Sequence, residues 1–409
     1  MTRHQKRSGA RRTWLTLLTA LGTLAGAALA GAAPADAAAW TTVAAGVTYR
    51  HYDLRAAAGV TRVHVLGVDL TRAHVRLGLL YPGKVAARSA VSSMADARKA
   101  VAAVNGDFFN ISETQHPGVT ATGASVGPAI ANGRVLKGAV PDAQRFGPEL
   151  PPGTTTRAVV GVGTDGRARL DTLALTGTIT AFRRRLPLGG LNQYALPVGS
   201  IGAFTSDWGS ASRLRATCGT DTSRAAACST STYEVTLRRG RVVSASATPG
   251  GGSIPAGTTV LVGREAGARH LKALTMGEHV TVRHRPVSGS GTAYRFAVGG
   301  CPLLRGGQPL PGLDAGVSAV RTAVGIADGG RRVFLLALDG ALPYRGGTTI
   351  AEVAAALRNL GATEGFNLDG GGSSTLVARP AGSTRVTVRN HPSAGTERPV
   401  ANGIGVFTR

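Results

Sequence analysis

A stretch near the carboxyl-terminal end constrains the fold most, because it reads as a hairpin, a helix and a further strand in close succession. Two apolar runs, at 321–326 and 333–338, flank an Asp-Gly-Gly turn, and this pattern predicts a β-hairpin. The register of that hairpin places Arg321 opposite Leu338. Arg321 should therefore lie at the same edge of the sheet as Asp339, the residue that follows the second strand.

A helix and another strand follow this hairpin. Thr349 and Glu352 have the spacing of a capping box, and a glycine marks the end of the helix. The apolar residues of the helix recur with i, i+3, i+4 and i+7 spacing, at positions 350, 353, 354, 357 and 360. Strand, helix and strand predict a βαβ unit with two parallel strands, which places Asp339 and Asp369 at one edge with Arg321. Ligands bind outside such edges; a structural salt bridge between Arg321 and one aspartate is the alternative.

Residues 365–374 read Gly-Phe-Asn-Leu-Asp-Gly-Gly-Gly-Ser-Ser and predict a ligand site. Strand alternation directs Asn367 and Asp369 to one face. Glycines leave backbone amides open to a ligand, and serines add hydroxyl donors. The candidate binding residues of this stretch are Asn367, Gly370, Gly371, Gly372, Ser373 and Ser374. Together they suit a polar, anionic ligand. The alternative is a tight turn capped by Asp369; a P-loop is excluded because no Gly-Lys-Ser/Thr follows.

A second stretch repeats this arrangement earlier in the chain. Residues 105–110 read Asn-Gly-Asp-Phe-Phe-Asn and follow an apolar run. Asn105 and Asp107 share a face beside a glycine, as Asn367 and Asp369 do. The alternative is a strand that ends in an ordinary Asn-Gly turn.

The amino terminus has the features of a leader. Five basic residues precede an apolar run at 14–30, and Ala-Asp-Ala at 35–37 is a small-x-small cleavage site. This order predicts a secretory signal peptide over 1–37, and the Arg-Arg pair at 11–12 permits twin-arginine export as the alternative. No later run of about 18 apolar residues occurs, so no transmembrane segment is predicted. We expect a secreted, extracellular protein, either free or associated with the cell wall.

The charge of the chain limits the partners that it can have. The net charge is +24, and loss of a leader with five basic residues and one aspartate would leave +20. The basic residues are spread along the chain with few aromatic residues between them, a pattern that does not favour nucleic-acid binding. Polyanionic envelope polymers or phosphorylated glycans are better partners for an exported basic protein.

The chain has three cysteines. Cys218 and Cys228 are close in sequence, and in an exported protein they are predicted to form a disulfide. Cys301 is then the unpaired one and is expected to be buried. Neither His-Glu-x-x-His nor Cys-x-x-Cys occurs, so we predict no metal site and no cofactor.

Composition divides the chain into four parts. Residues 205–290 are rich in Ser, Thr and Gly, contain the cysteine pair and read as a small β-rich insertion module. The predicted organisation is a signal peptide at 1–37, one domain split into 38–204 and 291–409, and the module between them. The expected fold class is α+β (mixed α/β), a mixed β-sheet with flanking helices plus the β-rich module.

Four motifs occur along the chain in a fixed order. They are Asn-Gly-Asp-Phe-Phe from residue 105, Arg-Thr-Ala-Val-Gly-Ile from 321, Asn-Leu-Asp-Gly-Gly-Gly-Ser-Ser-Thr from 367 and Glu-Arg-Pro-Val-Ala-Asn-Gly from 397. In this order they resemble the phosphodiester glycosidase family over roughly residues 98–409. The resemblance implies hydrolysis of a sugar phosphodiester at the anomeric carbon, which yields a free sugar and a phosphomonoester.

The resemblance and the chemistry together assign candidate roles. Anomeric cleavage needs a carboxylate to activate water or to attack directly, and support for the leaving oxygen. The candidate catalytic carboxylates are Asp369, Asp107 and Asp339. Arg321 and Arg398 would hold the phosphate, because the guanidinium fork matches phosphate oxygens. The amides of residues 370–372 would assist them. Asn105, Asn367 and Asn402 would position sugar hydroxyls.

One motif departs from the family pattern. The family usually has Asp-Gly-Arg after the second hairpin strand, whereas this chain has Asp339, Gly340 and Ala341, with Arg345 four residues later. Either Arg345 replaces the missing guanidinium or the substrate differs. A non-catalytic binder of phosphorylated glycans, or adhesion to polyanions through the net charge alone, are the rival functions.

Overall fold

Strands dominate the structure, a computed structural model that describes residues 39–182 and 184–408. Within these residues the chain forms 25 β-strands and three α-helices. The first strands are β1 Thr41–Ala44, β2 Val47–Ala56, β3 Gly59–Asp69, β4 Arg76–Leu80, β5 Ala102–Asn105, β6 Ala129–Ala131, β7 Arg134–Lys137, β8 Ala158–Gly163, β9 Ala168–Ala181, β10 Arg184–Pro187, β11 Gly190–Leu191 and β12 Ile201–Phe204. The remaining strands are β13 Thr232–Arg238, β14 Arg241–Ser246, β15 Thr258–Arg264, β16 Thr281–Ser288, β17 Tyr294–Gly299, β18 Cys301–Arg305, β19 Gln308–Pro309, β20 Thr322–Ala327, β21 Arg332–Leu338, β22 Glu364–Leu368, β23 Leu376–Ala378, β24 Thr387–Val388 and β25 Gly403–Phe407. The helices are α1 Val91–Ala97, α2 Ala266–Lys272 and α3 Ile350–Asn359.

The expected α+β fold class, with helices flanking a mixed sheet, is wrong. The helices have only seven, seven and ten residues, whereas the strands form sheets of eight, seven, five and five members. The expectation extended one amphipathic helix pattern to the whole fold. The residues with that pattern do form α3. Elsewhere short segments with period-two alternation are separated by glycine turns, and such segments pair as antiparallel sheets.

The predicted hairpin forms the centre of the eight-stranded sheet. Its strand order is β1-β2-β3-β21-β20-β22-β18-β19. Thr322 pairs with Ala337, and the amide of Leu338 donates to the carbonyl of Arg321 at 2.9 Å, as the predicted register requires. Thr349 and Glu352 form the predicted capping box at the start of α3.

The βαβ prediction needs a correction. Strand β22 does not pair with β21; both pair antiparallel with β20, which lies between them. β21 and β22 therefore run parallel to each other without pairing. Their carboxyl ends still lie at one edge, beside the start of β20, so the expected edge exists although the pairing differs.

Both faces of the central strands β20, β21 and β22 are buried. On one face Val324, Leu335 and Phe366 enter the main core, and on the other Ala323 and Leu336 pack in the cluster that contains α3. Full burial of one such large apolar side chain contributes about 1.5–3 kcal/mol, so this sheet is a rigid base for the residues at its edge.

A five-stranded sheet joins segments that are distant in sequence. Its order is β24-β23-β5-β25-β4, with β25 between β5 and β4. Leu376 pairs with Val104, and Gly403 pairs with Asn105. The end of β5 is thereby fixed between the segment that follows Asp369 and the last strand of the chain.

The predicted module contributes strands to more than one sheet. β13, β14 and β15 form a five-stranded sheet with β11 and β12, and β16 pairs with β9 in the seven-stranded sheet. Cys218 and Cys228 form the predicted disulfide, and Cys301 is free and buried, as expected. The domain boundaries stay predictions. The predicted leader at 1–37 lies outside the described residues, and among those residues no helix is long and apolar enough to span a bilayer.

Candidate active site

A cleft of about 900 Å³ opens at the edge where β22 ends and β20 begins. Its polar wall comes from the turn after β22, from the residue before β20 and from the loop before β25. Its apolar wall comes from residues that follow β5 and from residues that follow β7. The residues that matter here are Asp369, Gly370, Gly371, Arg321, Arg398, Phe108, Phe109 and Phe146. Clefts with a few convergent polar groups on an apolar lining are typical ligand sites.

Asp369 places its carboxylate in this cleft. Its Oδ1 accepts a hydrogen bond from the amide of Gly370 at 2.9 Å. Burial raises the pKa of Asp369 to about 6, although the Ser373 hydroxyl, the Gly370 amide and the charge of Arg398 oppose that rise. The backbone of Asp369 is held on both sides: its amide donates to Gly106 at 2.9 Å, and its carbonyl accepts from Asn105 Nδ2 at 2.6 Å.

The three glycines after Asp369 have packing roles as well as an open backbone. Gly371 has a φ of +57°, which favours glycine, and a side chain at Gly372 would collide with the guanidinium of Arg398. The Gly370 amide is bound to Asp369, and the Gly371 amide donates to Val320 at 2.7 Å. Two of the three amides expected to assist a phosphate are therefore already used within the protein.

Two arginines face the cleft without a carboxylate partner. Arg321 Nε donates to the carbonyl of Thr348 at 3.2 Å, and its Nη2 donates to Val317 at 2.8 Å. Arg398 Nη1 donates to the Ser373 hydroxyl at 3.4 Å. Within the described residues neither guanidinium forms an ion pair, so the predicted alternative of a salt bridge from Arg321 to Asp339 or Asp369 does not occur there.

Asp107 lies buried behind the aromatic wall. Its Oδ2 accepts from the Gly127 amide at 2.6 Å, while its buried Oδ1 has no hydrogen-bond partner. Its own amide donates to Asn402 Oδ1 at 2.9 Å, so Asn402 positions Asp107. Burial, together with the negative charge of Asp369, raises the pKa of Asp107 to about 7. Lys137 opposes this rise.

Sequence reasoning missed Lys137, which is 1% exposed. Its Nζ donates to the carbonyls of Val126, Gly127 and Gly138. The carbonyl of Val126 and the amide of Gly127 belong to one peptide group, so the lysine binds one end of the group whose other end donates to Asp107. A lysine directly after two apolar residues of a short strand was the available signal.

Asn105 and Ser374 belong to the framework under the cleft. The Thr322 hydroxyl donates to Asn105 Oδ1 at 2.8 Å and lies 2.9 Å from the Ser374 hydroxyl, which can donate to it. The Thr375 amide also donates to Asn105 Oδ1, at 3.1 Å. All are buried. They hold the Asp107 and Asp369 segments together and do not line the cleft.

Asn367 lies one layer below Asp369, on the same side of its strand. Both polar atoms of its amide are buried without a hydrogen-bond partner. It lines a small cavity with Cys301, and that cavity shares Pro148 and Asp314 with the cleft. The shared face expected for Asn367 and Asp369 thus exists, but Asn367 reaches the floor and not the open cleft.

Asp339 is not brought into the cleft. Its Oδ2 is bound by His64 at 3.1 Å and by His391 at 2.8 Å, and its Oδ1 accepts from the Ala341 amide at 2.8 Å. These hydrogen bonds hold the pKa of Asp339 well below its usual range despite burial. Arg345 is exposed and does not line the cleft. Within 39–182 and 184–408, no cluster of three or more His, Cys, Asp or Glu side chains is placed to hold a metal ion.

Comparison with known proteins supports the resemblance seen in the motifs. Residues 231–407 match the phosphodiester glycosidase family (NAGPA), which confirms that resemblance over this part of the chain. No curated protein matches the chain.

Several solved structures resemble this one. A hypothetical protein from Synechocystis superposes with a TM-score of 0.69 at 21% identity; the match covers 92% of this chain and 65% of that protein, and it shows a shared fold. A Burkholderia pseudomallei protein, named as a candidate exported protein, gives a TM-score of 0.64 at 26% identity over 85% of this chain and 74% of its own. The zebrafish N-acetylglucosamine-1-phosphodiester alpha-N-acetylglucosaminidase catalytic domain, auto-inhibited by its pro-peptide, gives a TM-score of 0.43 at 16% identity over 91% and 87%.

Proposed function

We propose that this protein is a hydrolase that cleaves the anomeric C–O bond of a sugar-1-phosphodiester and releases a free sugar and a phosphomonoester. One observation carries the proposal: a carboxylate, Asp369, shares a cleft with Arg321 and Arg398, which have no ion-pair partner within the described residues. The family match over residues 231–407 supports it.

The arginines would bind the phosphodiester oxygens. A planar guanidinium donates two parallel hydrogen bonds to a phosphate. Its electrostatic attraction to the phosphate is stronger where water is excluded. Arg321 is 8% exposed and held by two carbonyls, so it is already oriented before a ligand arrives. A phosphate leaves more readily than a sugar alkoxide, so this support replaces much of the work of a general acid.

Asp369 would supply the carboxylate chemistry at the anomeric carbon. With a pKa of about 6, it is mostly ionised at neutral pH and more basic than an exposed aspartate. As a base it takes a proton from water, whose oxygen bonds to the anomeric carbon while the C–O bond to phosphate breaks and its electron pair leaves with the phosphate. As a nucleophile it first forms a glycosyl ester that water then hydrolyses.

Asp107 is the second carboxylate of the proposed site. Its raised pKa of about 7 keeps it partly protonated near neutral pH, and the negative charge of Asp369 contributes to that rise. Such a pair divides acid and base roles by environment. The aromatic wall of Phe108, Phe109 and Phe146 would pack against the sugar.

A non-catalytic binder of phosphorylated glycans is the second candidate. It would use the same arginines without turnover. The chain has Ala341 where the family usually has an arginine, and Arg345 does not line the cleft, which favours this candidate. General adhesion through the net charge needs no cleft at all.

One experiment separates these functions. The purified protein is incubated with a panel of sugar-1-phosphodiesters, and the release of phosphomonoester and reducing sugar is followed with time. Equimolar release of both supports hydrolysis. Saturable binding without release from any member supports the binder, whereas binding that disappears at high salt for every ligand supports general adhesion.

We also propose that the protein is exported. The leader pattern at 1–37 supports this, as does the name of the Burkholderia relative. We expect an envelope or extracellular glycan as the source of the substrate.

A further inference from the structure

A second cavity of about 490 Å³, here called the side groove, adjoins the cleft. Gly147 lines both cavities, and the preceding Phe146 lines the cleft. The main walls of the side groove are Gln115, Asp142, Arg145, Thr222, Ser223 and Arg224. Gly147 thus lies between the cleft and the side groove, and a ligand that occupied both would have to pass this residue.

Two arginines give the side groove its charge. Arg224 Nη1 donates to the carbonyl of Arg145 at 2.8 Å, and its guanidinium lies 4.3 Å over the ring of Phe146. Arg145 Nη1 donates to the carbonyl of Gly147 at 3.0 Å. Neither arginine forms an ion pair within the described part of the chain. The carboxylate of Asp142 accepts instead from Thr156.

The wall that carries Arg224 is built before any ligand arrives. It is the loop closed by the Cys218–Cys228 disulfide. Gln144 Nε2 donates to the loop carbonyls of Thr220 at 2.6 Å and Ser223 at 3.1 Å.

The loop has a further anchor at its far end. His116 Nε2 lies 2.9 Å from the carbonyl of Ala226, and His116 is itself bound to the buried Glu113. Arg215, which is fully buried, holds both Glu113 and the side chain of Gln144. Because these contacts already order the loop, a ligand does not bear that entropic cost.

We propose that the side groove binds a second phosphate group of the same substrate molecule, so that the substrate is an oligomer with repeated phosphodiesters. Arginine forks recognise phosphate oxygens, and an arginine stacked on an aromatic ring keeps its donors directed outward. The proposal rests on the proposed function for the identity of the cleft. It also assigns a role to the cysteine loop of the predicted module.

Binding of oligo(glycerol phosphate) probes with one, two and three phosphodiesters tests this, measured by calorimetry on the intact protein. These probes lack an anomeric bond, so turnover does not interfere. We expect affinity to rise about tenfold from the shortest probe to a longer one, the effect of one well-placed charge-assisted hydrogen bond. The Arg145→Ala, Arg224→Ala double variant should lose that rise. Arg238→Ala, a substitution of an exposed arginine of β13, should keep it.

Each outcome decides the matter. Equal affinity for all probe lengths in the unaltered protein, or an undiminished rise in the double variant, overturns the side groove. A parallel loss in Arg238→Ala would show that net charge, and not the groove, causes the rise. If affinity rises with probe length but no substrate releases a phosphomonoester, only the proposed hydrolysis is refuted. Turnover without the rise refutes the side groove alone.

Discussion

At the scale of single residues, burial and charge oppose each other at Asp369. Removal from water favours the neutral carboxyl, whereas Ser373, the Gly370 amide and Arg398 favour the carboxylate. The resulting pKa of about 6 leaves an ionised but reactive group at neutral pH. Asp339 has the opposite balance: two histidines and a backbone amide keep it ionised and occupied. A carboxylate that already accepts three hydrogen bonds is suited to anchoring a loop.

Replacement of Asp369 by asparagine should abolish most turnover while the fold survives. Asparagine keeps the oxygen that accepts from Gly370, but it has neither charge nor basicity. We expect kcat to fall about 10²–10⁴-fold. The measurement is kcat on any active sugar phosphodiester, together with the thermal midpoint. Asp328→Asn, the same change in the exposed hairpin turn, is the control, and its kcat and thermal midpoint should be close to those of the unaltered protein. A near-normal kcat for Asp369→Asn would transfer the catalytic role to Asp107.

The raised pKa of Asp369 also predicts how stability depends on pH. The group has a pKa near 3.8 when unfolded and about 6 when folded, so the folded state binds the proton more tightly. The stability from this proton is present below pH 3.8 and is lost as pH rises through 6. Relative to Asp369→Asn, the unaltered protein should lose about 2–3 kcal/mol of unfolding free energy between pH 4 and 7. Urea titrations of both proteins at both pH values measure this. If the difference in unfolding free energy between the two proteins is the same at pH 4 and pH 7, the pKa of Asp369 is not raised.

At the scale of elements, the start of α3 connects helix capping to the proposed phosphate site. Thr349 Oγ1 accepts from the Glu352 amide at 3.2 Å, and Glu352 Oε2 accepts from the Thr349 amide at 2.8 Å. The preceding carbonyl, that of Thr348, accepts from Arg321 Nε. A local signal in the sequence thus fixes the orientation of a guanidinium in the cleft.

Thr349→Ala should weaken both the helix and the site. Loss of an N-cap costs about 1 kcal/mol, and the freed first turn lets the Thr348 carbonyl shift away from Arg321. We expect a lower thermal midpoint and a rise in KM that exceeds the fall in kcat. Thr349→Ser preserves the hydroxyl and should preserve both values. An equal loss in the serine variant would assign the effect to side-chain packing instead of capping.

Elements with local signals could be predicted, and those set by distant partners could not. The hairpin register and the capping box depend on neighbours within a few residues, so pattern and turn chemistry were sufficient. The position of β20 between β21 and β22 depends on which strand edges meet, which alternation does not encode. For the same reason the sequence put Asp339 and Asp369 at one edge but could not show that His64 and His391 hold Asp339. Nor could it show Lys137 near Asp107.

At the scale of the whole molecule, the site depends on both ends of the described chain. Asn105 donates to the carbonyl of Asp369 across 264 positions of sequence, and Asn402 binds the amide of Asp107. The family match begins at residue 231, so it includes Asp369, Arg321 and Arg398 but not Asp107 or the aromatic wall. Sequence similarity thus covers the phosphate side of the proposed site and leaves its other side to the first half of the chain.

The leader pattern leads to a prediction for the complete chain. Because its basic, apolar and small-residue regions occur in order, we expect cleavage near Ala37 during export. Amino-terminal sequencing of the secreted protein should therefore begin close to Ala38. A change of Ala35 and Ala37 to bulky residues should leave unprocessed precursor, with a leucine substitution at Ala44 as the control. Secreted material that begins at Met1 would contradict the prediction.

The position of β25 sets the order of events during synthesis. This strand lies between β4 and β5, which are made more than 290 residues earlier. The two early strands cannot reach their final neighbours until residues 403–407 have left the ribosome. Contacts between such distant segments slow folding, and edges that wait for a partner are exposed to proteolysis and association. Without residues 403–407, the edges of β4 and β5 that pair with β25 would have no partner, and the edge of β5 includes Asn105.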